Sequence, residues 1–223
     1  MITVIAGKQG AGKSLYAARL AREYMKKNIV YSNSPIINAL ILDSKWYNYQ
    51  YKKGACIIID EAQLDFNCRD YTSKEKLEAQ KKLLRFLTLC RHYDLEIIFI
   101  TQSLKRLDVQ IRELATTIIR FSNTYKIPYF SFKELKFKTL PILQRGRFFE
   151  DSVELEAYLN CVPGWQDLGQ QFLRFVDFKA LNSYDTHIID KEYSRRAFPP
   201  EMNWNSLFKP QSEAKRSSTS ATS

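Results

Sequence analysis

Histidine is nearly missing from this sequence: His92 and His187 are the only two. Cysteine is scattered as Cys56, Cys68, Cys90 and Cys161, with no C-x-x-C pair. That spacing, without partnering histidines, excludes a zinc site and points to reduced thiols in a cytosol rather than a disulfide framework. No run of about twenty apolar residues occurs, so no membrane-spanning helix of its own is expected. The N-terminus enters a β-prone run at once, which predicts an intracellular chain without a signal peptide. No internal repeat is present. Glycine is scarce as well, yet three of the seven, Gly7, Gly10 and Gly12, are crowded together.

What is abundant is positive charge. Lysine and arginine number 34 against 24 acidic residues, a net charge of +10 and a pI near 9.4, which favours an anionic partner such as nucleic acid or a membrane surface. The 223 residues suffice for one α/β domain with an appendage but not for two large domains.

The glycine cluster carries the sharpest signal. Ile2 to Ala6 reads as a buried strand, and from Gly7 the order is glycine, four residues, then Gly12, Lys13 and Ser14, the Walker A pattern. Leu15, Ala18, Leu20, Ala21 and Tyr24 behind it have helical spacing. Strand, loop and helix in that order predict a phosphate cradle for Mg²⁺-ATP formed by Gly7, Lys8, Gln9, Gly10, Ala11, Gly12, Lys13 and Ser14. Lys13 would place a charge on the phosphates and the Ser14 hydroxyl would ligate Mg²⁺.

A second strand is expected at Ile29 to Tyr31, followed by a loop at Ser32, Asn33 and Pro35. Ile36 to Tyr51 reads as a short helix plus a loop on the surface. Ile57 to Ile59 is a continuous apolar run of the kind buried in a parallel sheet, and it ends in Asp60 and Glu61. This is a Walker B pattern, in which Asp60 partners the metal held by Ser14 and Glu61 orients an attacking water. A helix from Ser73 to Tyr93, capped by Ser73 and studded with lysines, leads to a buried strand from Leu95 to Thr101. Gln102 at its end is a candidate sensor of the γ-phosphate.

Leu104 to Leu114 suggests a short helix and Thr117 to Phe121 a strand. Beyond Ser122, Tyr125 to Phe137 is hairpin-like, Arg145 to Phe149 another strand, and Asp151 to Leu159 a short helix. The whole predicts a P-loop NTPase (RecA-like) α/β fold, a doubly wound, mostly parallel sheet with helices on both faces. The expected units are a core at 1–122, an extension packing on it at 123–208, and a disordered polar tail at 209–223.

The segments GKQGAGKS, YSNSPI, IIIDEAQ with Phe66 and Arg69 behind it, CRHYDLEIIFITQS and DVQIRELA resemble, in order and spacing, the zonular occludens toxin (Zot) family. Those are P-loop ATPases of filamentous phages within the FtsK–HerA superfamily of DNA pumps. The resemblance covers Met1 to Phe121, with a weaker echo at Tyr184, Asp185 and Thr186. It implies the roles given above for Lys13, Ser14, Asp60, Glu61 and Gln102, and a homo-oligomeric ring in which an arginine completes the neighbour's site. Arg91, in the Arg91-His92 pair, takes that place, with Arg85, Arg69 and Arg112 in reserve.

Family members usually continue into a membrane-spanning helix and a periplasmic domain, whereas this sequence ends in a polar tail. A soluble ring ATPase of the same superfamily packages genomes into preformed capsids, so packaging and extrusion both stay open. The expected partners are DNA held through its backbone, without sequence preference, and capsid or membrane-embedded assembly proteins, in the host cytoplasm. Two rivals remain: a small-molecule or nucleotide kinase, against which Glu61 and Gln102 speak, and a nucleotide-binding adaptor at a membrane without turnover.

Overall fold

The computed structural model describes residues 1–43, 45–62, 74–131, 136–181 and 183. The expected Ser73 cap, Cys68, Phe66, Arg69, the Tyr184 to Thr186 echo and the 209–223 tail lie outside the described residues.

One sheet organises the chain. Its eight strands run in the order β3-β2-β4-β5-β1-β6-β7-β8. The parallel part consists of β1 (Ile2–Gly7), β2 (Val30–Ser32), β3 (Leu40–Ile41), β4 (Cys56–Ile59), β5 (Glu96–Thr101) and the start of β6 (Thr117–Ser131). β7 (Lys136–Phe149) and β8 (Gln170–Phe175) continue it antiparallel. Among the described residues five helices flank it: α1 (Lys13–Tyr24), α2 (Lys74–Leu89), α3 (Val109–Leu114), α4 (Ser152–Leu159) and α5 (Phe178–Leu181). The chain therefore has the P-loop NTPase type of α/β fold.

Strand periodicity divides the isoleucines between two layers. Ile57, Ile59, Ile97 and Phe99 face α2 and its Leu83, Phe86 and Leu87, while Ile58, Ile98, Ile100 and Ile5 face Ala17 and Ala21 of α1. Both faces are covered, which is why β4 and β5 read as unbroken apolar runs. Each fully buried aliphatic or phenyl side chain contributes roughly 1.5–3 kcal/mol.

The structure departs from the sequence reading in several places. Residues 36–51 are not a surface helix and loop: they form β3 and a 3₁₀ turn, Trp46–Asn48, whose Trp46 is fully buried. Its ring meets Phe86 edge-on at 5.6 Å and Phe99 at 6.0 Å, and the Tyr51 hydroxyl donates to its carbonyl at 2.6 Å. The aromatics of this polar-looking stretch are here core residues, and the tyrosine hydroxyls find partners inside it, Tyr51 on the Trp46 carbonyl and Tyr49 on Asp43 Oδ2 at 2.8 Å. The second strand starts one residue later than expected. The helix from residue 74 ends at Leu89, where the chain turns through Asp94, whose φ is 51°, into β5.

The segment expected as one helix at 104–114 is split. A 3₁₀ turn, Leu104–Arg106, precedes α3, which Asp108 caps by accepting from the Gln110 amide at 2.8 Å. The hairpin has longer arms than expected, and its strands belong to the central sheet. β6 crosses residue 122, the expected core boundary, with a register shift between Phe121 and Asn123. α5 returns to α1, where Arg22 and Asp177 pair at 3.2 Å. No helix among the described residues is long and apolar enough to cross a membrane.

Candidate active site

The ends of β1, β4 and β5 converge on one edge of the sheet. From β1 the chain enters the glycine-rich loop, in which Gly10 and Gly12 adopt φ of 76° and 86°, a left-handed region costly for other residues. Gly12 is doubly constrained. A Cβ there would lie 2.7 Å from Thr124 Oγ1 and closer still to Gln144 Nε2. Nothing lies within 4 Å of a Cβ placed on Gly10, so space does not demand glycine there; the backbone does. Lys8, Gln9 and Gly10 are exposed, and Ala11 is buried.

α1 begins directly at Lys13, so its unpaired N–H groups open toward the loop. Lys13 is buried, at 7% exposure, and its Nζ donates to the Lys8 carbonyl at 3.1 Å. Burial pushes the ammonium pKa down from 10.5, while Asp60 and Glu61 pull it back up.

The end of β4 is held by an amide clamp. Asn33 Nδ2 donates to the Asp60 carbonyl at 2.9 Å, and the Asp60 N–H donates to Asn33 Oδ1 at 2.7 Å. Ser14 Oγ donates to Asp60 Oδ2 at 3.2 Å, and the Glu61 N–H to Asp60 Oδ1 at 2.8 Å. Burial raises the Asp60 pKa above its ordinary 3.8; the bonds from Glu61 and Ser14 partly oppose this, as does Lys13. Glu61 takes a left-handed φ of 53°, an uncommon conformation for a glutamate. Its Oε1 accepts from Gln102 Nε2 at 2.9 Å. Because β5 lies between β1 and β4, Gln102 emerges beside both the loop and the carboxylates.

Lys13, Ser14, Asp60, Glu61 and Gln102 are thus brought together. Arg91 is not. It is exposed in the turn before β5, at the opposite end of that strand from Gln102, about 20 Å away by strand rise. Of the reserves, Arg85 is exposed on α2 and Arg112 pairs with Glu156 at 3.1 Å.

Three residues escaped the sequence reading. Asn33 stands in the loop flagged at SNSP, but its clamp on Asp60 had no signal. Thr124 and Gln144 are buried and directly paired across β6 and β7. Thr124 Oγ1 donates to the Ala11 carbonyl at 2.8 Å and Gln144 Nε2 to the Gly12 carbonyl at 2.9 Å. The antiparallel strands thereby brace the phosphate loop. A cavity of about 500 Å³ opens on the other side of that loop, lined by Lys8, Gln102, Ser103, Lys105, Arg120 and Tyr158 among others.

The donor set suits the expected ligands. A serine hydroxyl and a carboxylate oxygen 3.2 Å apart are hard oxygen donors of the kind Mg²⁺ takes. A left-handed glycine loop running into a helix N-terminus beside a buried lysine suits a polyphosphate.

The zonular occludens toxin (Zot) family profile matches residues 37–141. Over these residues, a little under half of its length, the chain is similar to the Zot family. The match includes Asp60, Glu61, Arg91, Gln102 and Thr124, and it runs into β7, further than the resemblance read from the sequence. It begins after the phosphate loop, so the loop rests on its own motif and geometry.

Among solved structures, the N-terminal domain of zonular occludens toxin from Neisseria meningitidis is similar with a TM-score of 0.57 at 17% identity, over 82% of this chain and 98% of that one. The genome packaging NTPase B204 from Sulfolobus turreted icosahedral virus 2, in complex with AMP, has a TM-score of 0.42 at 15% identity, over 63% of this chain and 97% of that one. The FIGL-1 AAA domain in complex with ADP has a TM-score of 0.38 at 17% identity, over 56% and 44%. No curated protein matches the chain.

Proposed function

We propose that this chain, similar to the Zot family over residues 37–141, is an oligomeric ATP-hydrolysing motor that moves DNA during virion assembly, by packaging or by extrusion. One observation carries the reading. A hydrogen-bonded chain runs from Ser14 at the start of α1 through Asp60 and Glu61 to Gln102. It joins the phosphate loop to a carboxylate and an amide on two other strand ends, the parts that hydrolysis of a γ-phosphate requires. Bound Mg²⁺ would neutralise charge on the β- and γ-phosphates. Ser14 and Asp60 are the residues that would hold it.

Lys13 keeps a cation in a buried site next to the loop carbonyls, where electrostatic interactions are stronger than in water. Glu61 is the base that orients an attacking water, and Gln102 fixes one of its oxygens by donating to it. A change in that bond on loss of phosphate would reach β5 and, through the turn before that strand, Arg91. In a ring, Arg91 would then serve a neighbour's site. The basic surface would grip the DNA backbone without sequence preference and with strong salt dependence.

The test is steady-state ATP hydrolysis by the purified chain with and without single- and double-stranded DNA, beside Lys13→Ala and Glu61→Gln. Turnover stimulated by DNA and lowered about 10²- to 10³-fold in both variants is expected. Phosphate transfer to a small acceptor, or nucleotide binding without turnover, would replace the motor with a kinase or an adaptor.

A further inference from the structure

The antiparallel end of the sheet has a face that nothing in the proposed hydrolysis uses. Residues directly opposite one another on neighbouring strands project to the same side. Thr124, Gln144 and Arg174 form one such row and point toward α1, where Arg174 lies 4.8 Å over the Tyr16 ring. The rows on either side therefore point the other way. They are Asn123, Arg145 and Leu173, then Tyr125, Leu143 and Phe175. Along β6 the same side continues with Ile127 opposite Leu140 and Tyr129 opposite Lys138.

The described residues on this side are largely exposed. Tyr125 is 43% exposed, Ile127 52%, Tyr129 44%, Leu173 62% and Phe175 80%. Large apolar groups gathered on one surface mark a binding site more than a solvated face. The charge on it has one sign. Among the described residues Arg145, opposite Asn123 and Leu173, and Lys138, opposite Tyr129, stand on this side, and segments 123–131, 136–145 and 170–175 contain no aspartate or glutamate.

The geometry points to single-stranded nucleic acid, held on this open sheet face by base stacking on Tyr125, Tyr129 and Phe175 and by phosphate contact at Arg145. This rests on the motor reading and names the form of DNA it grips. A duplex hides its base faces and would leave the rings idle, whereas unpaired bases stack on aromatic side chains with little regard to sequence. A second copy of the chain fits poorly, since pairing this face with itself would set arginine and lysine against arginine and lysine. A bilayer also fits poorly, because Arg145 sits inside the patch beside Leu173, where hydrocarbon would penalise it.

The same strands explain how binding would be felt at the nucleotide. Tyr125 follows Thr124 and Arg145 follows Gln144, the two residues that hold the Ala11 and Gly12 carbonyls. Strand ordering on one side of the ribbon would thus reach the loop through the other.

The experiment uses the full chain and fluorescence anisotropy with a labelled oligo-dT and a duplex of equal length. Wild type is compared with Tyr129→Ala/Phe175→Ala and with Arg145→Gln, with binding of a fluorescent ATP analogue as the folding control. Single-strand affinity should fall at least about tenfold in the double variant, with duplex affinity and nucleotide binding unchanged. Arg145→Gln should lower the salt slope for the single strand by about one. Unchanged single-strand affinity in the double variant overturns the assignment. So does loss, in that variant, of binding to phosphatidylserine vesicles or of self-association in sedimentation velocity while DNA binding persists. If wild type neither binds nor is stimulated by either form of DNA, the motor reading itself falls. If DNA stimulates wild type and double variant equally, the motor stands and only the sheet face is misassigned.

Discussion

The two halves of this sheet obey different rules. In the parallel half, β1 and β4 are buried at every residue, and chemistry is confined to the strand ends, where Asp60, Gln102 and the glycine loop emerge. In the antiparallel half, β8 leaves alternate residues exposed and chemistry is spread along a face. The first design fixes catalytic groups to a rigid body; the second offers an adaptable surface to something large. They meet at Thr124 and Gln144, which reach from the second half to the loop of the first.

The contrast breaks most visibly in stability. Phe86 is 1% exposed and packs edge-on to Trp46 and near Tyr51, so Phe86→Ala should cost about 3–5 kcal/mol in urea unfolding. Phe175→Ala, at an 80% exposed position, should stay within about 0.5 kcal/mol. Similar losses for both would mean that the antiparallel face is covered in solution.

A smaller effect tests the joint between the halves. Gln144→Ala removes a buried donor from the Gly12 carbonyl, worth about 1 kcal/mol or a little more. Nucleotide affinity, measured with a fluorescent analogue, should weaken about fivefold while the fold persists. Unaltered affinity would show that the loop holds its shape without the brace.

How far the sequence disclosed this follows the same division. β1, β4 and β5 were legible because both their faces are covered, so apolar runs and burial coincide, and the motifs at their ends are contiguous. Gly12 could be placed from its spacing, but its second constraint comes from side chains 112 and 132 residues further on, one of them through the Gly12 carbonyl itself. Trp46 misled for a physical reason: a core aromatic among polar neighbours looks like surface until Phe86 and Phe99 are seen against it. Alternation at Tyr125 to Phe137 betrayed a hairpin but neither the length of its arms nor β8, because neither burial nor polarity alone sorts the two sides of these strands. Tyr129 and Lys138 share a face that a hydropathy pattern would split.

The smallest effect concerns pH and the two charges at the phosphate loop. Burial raises the folded-state pKa of Asp60 above 3.8, so between that value and the raised one the folded chain binds more protons than the unfolded chain. This carboxyl's contribution to stability is therefore complete below 3.8 and is lost as pH rises through the folded-state pKa. Lys13 has the opposite proton balance but the same cost at neutral pH: its lowered pKa means that the charged form is disfavoured by folding up to 10.5. At neutral pH folding thus sets side by side an ammonium and a carboxylate whose charged forms burial disfavours. Asp60→Asn should abolish Mg²⁺-dependent turnover, and it should flatten the fall in urea stability as pH rises from just below 4 toward neutrality. An unchanged pH slope would place the cost elsewhere, with the left-handed Glu61 backbone, which no protonation relieves, as the next place to look.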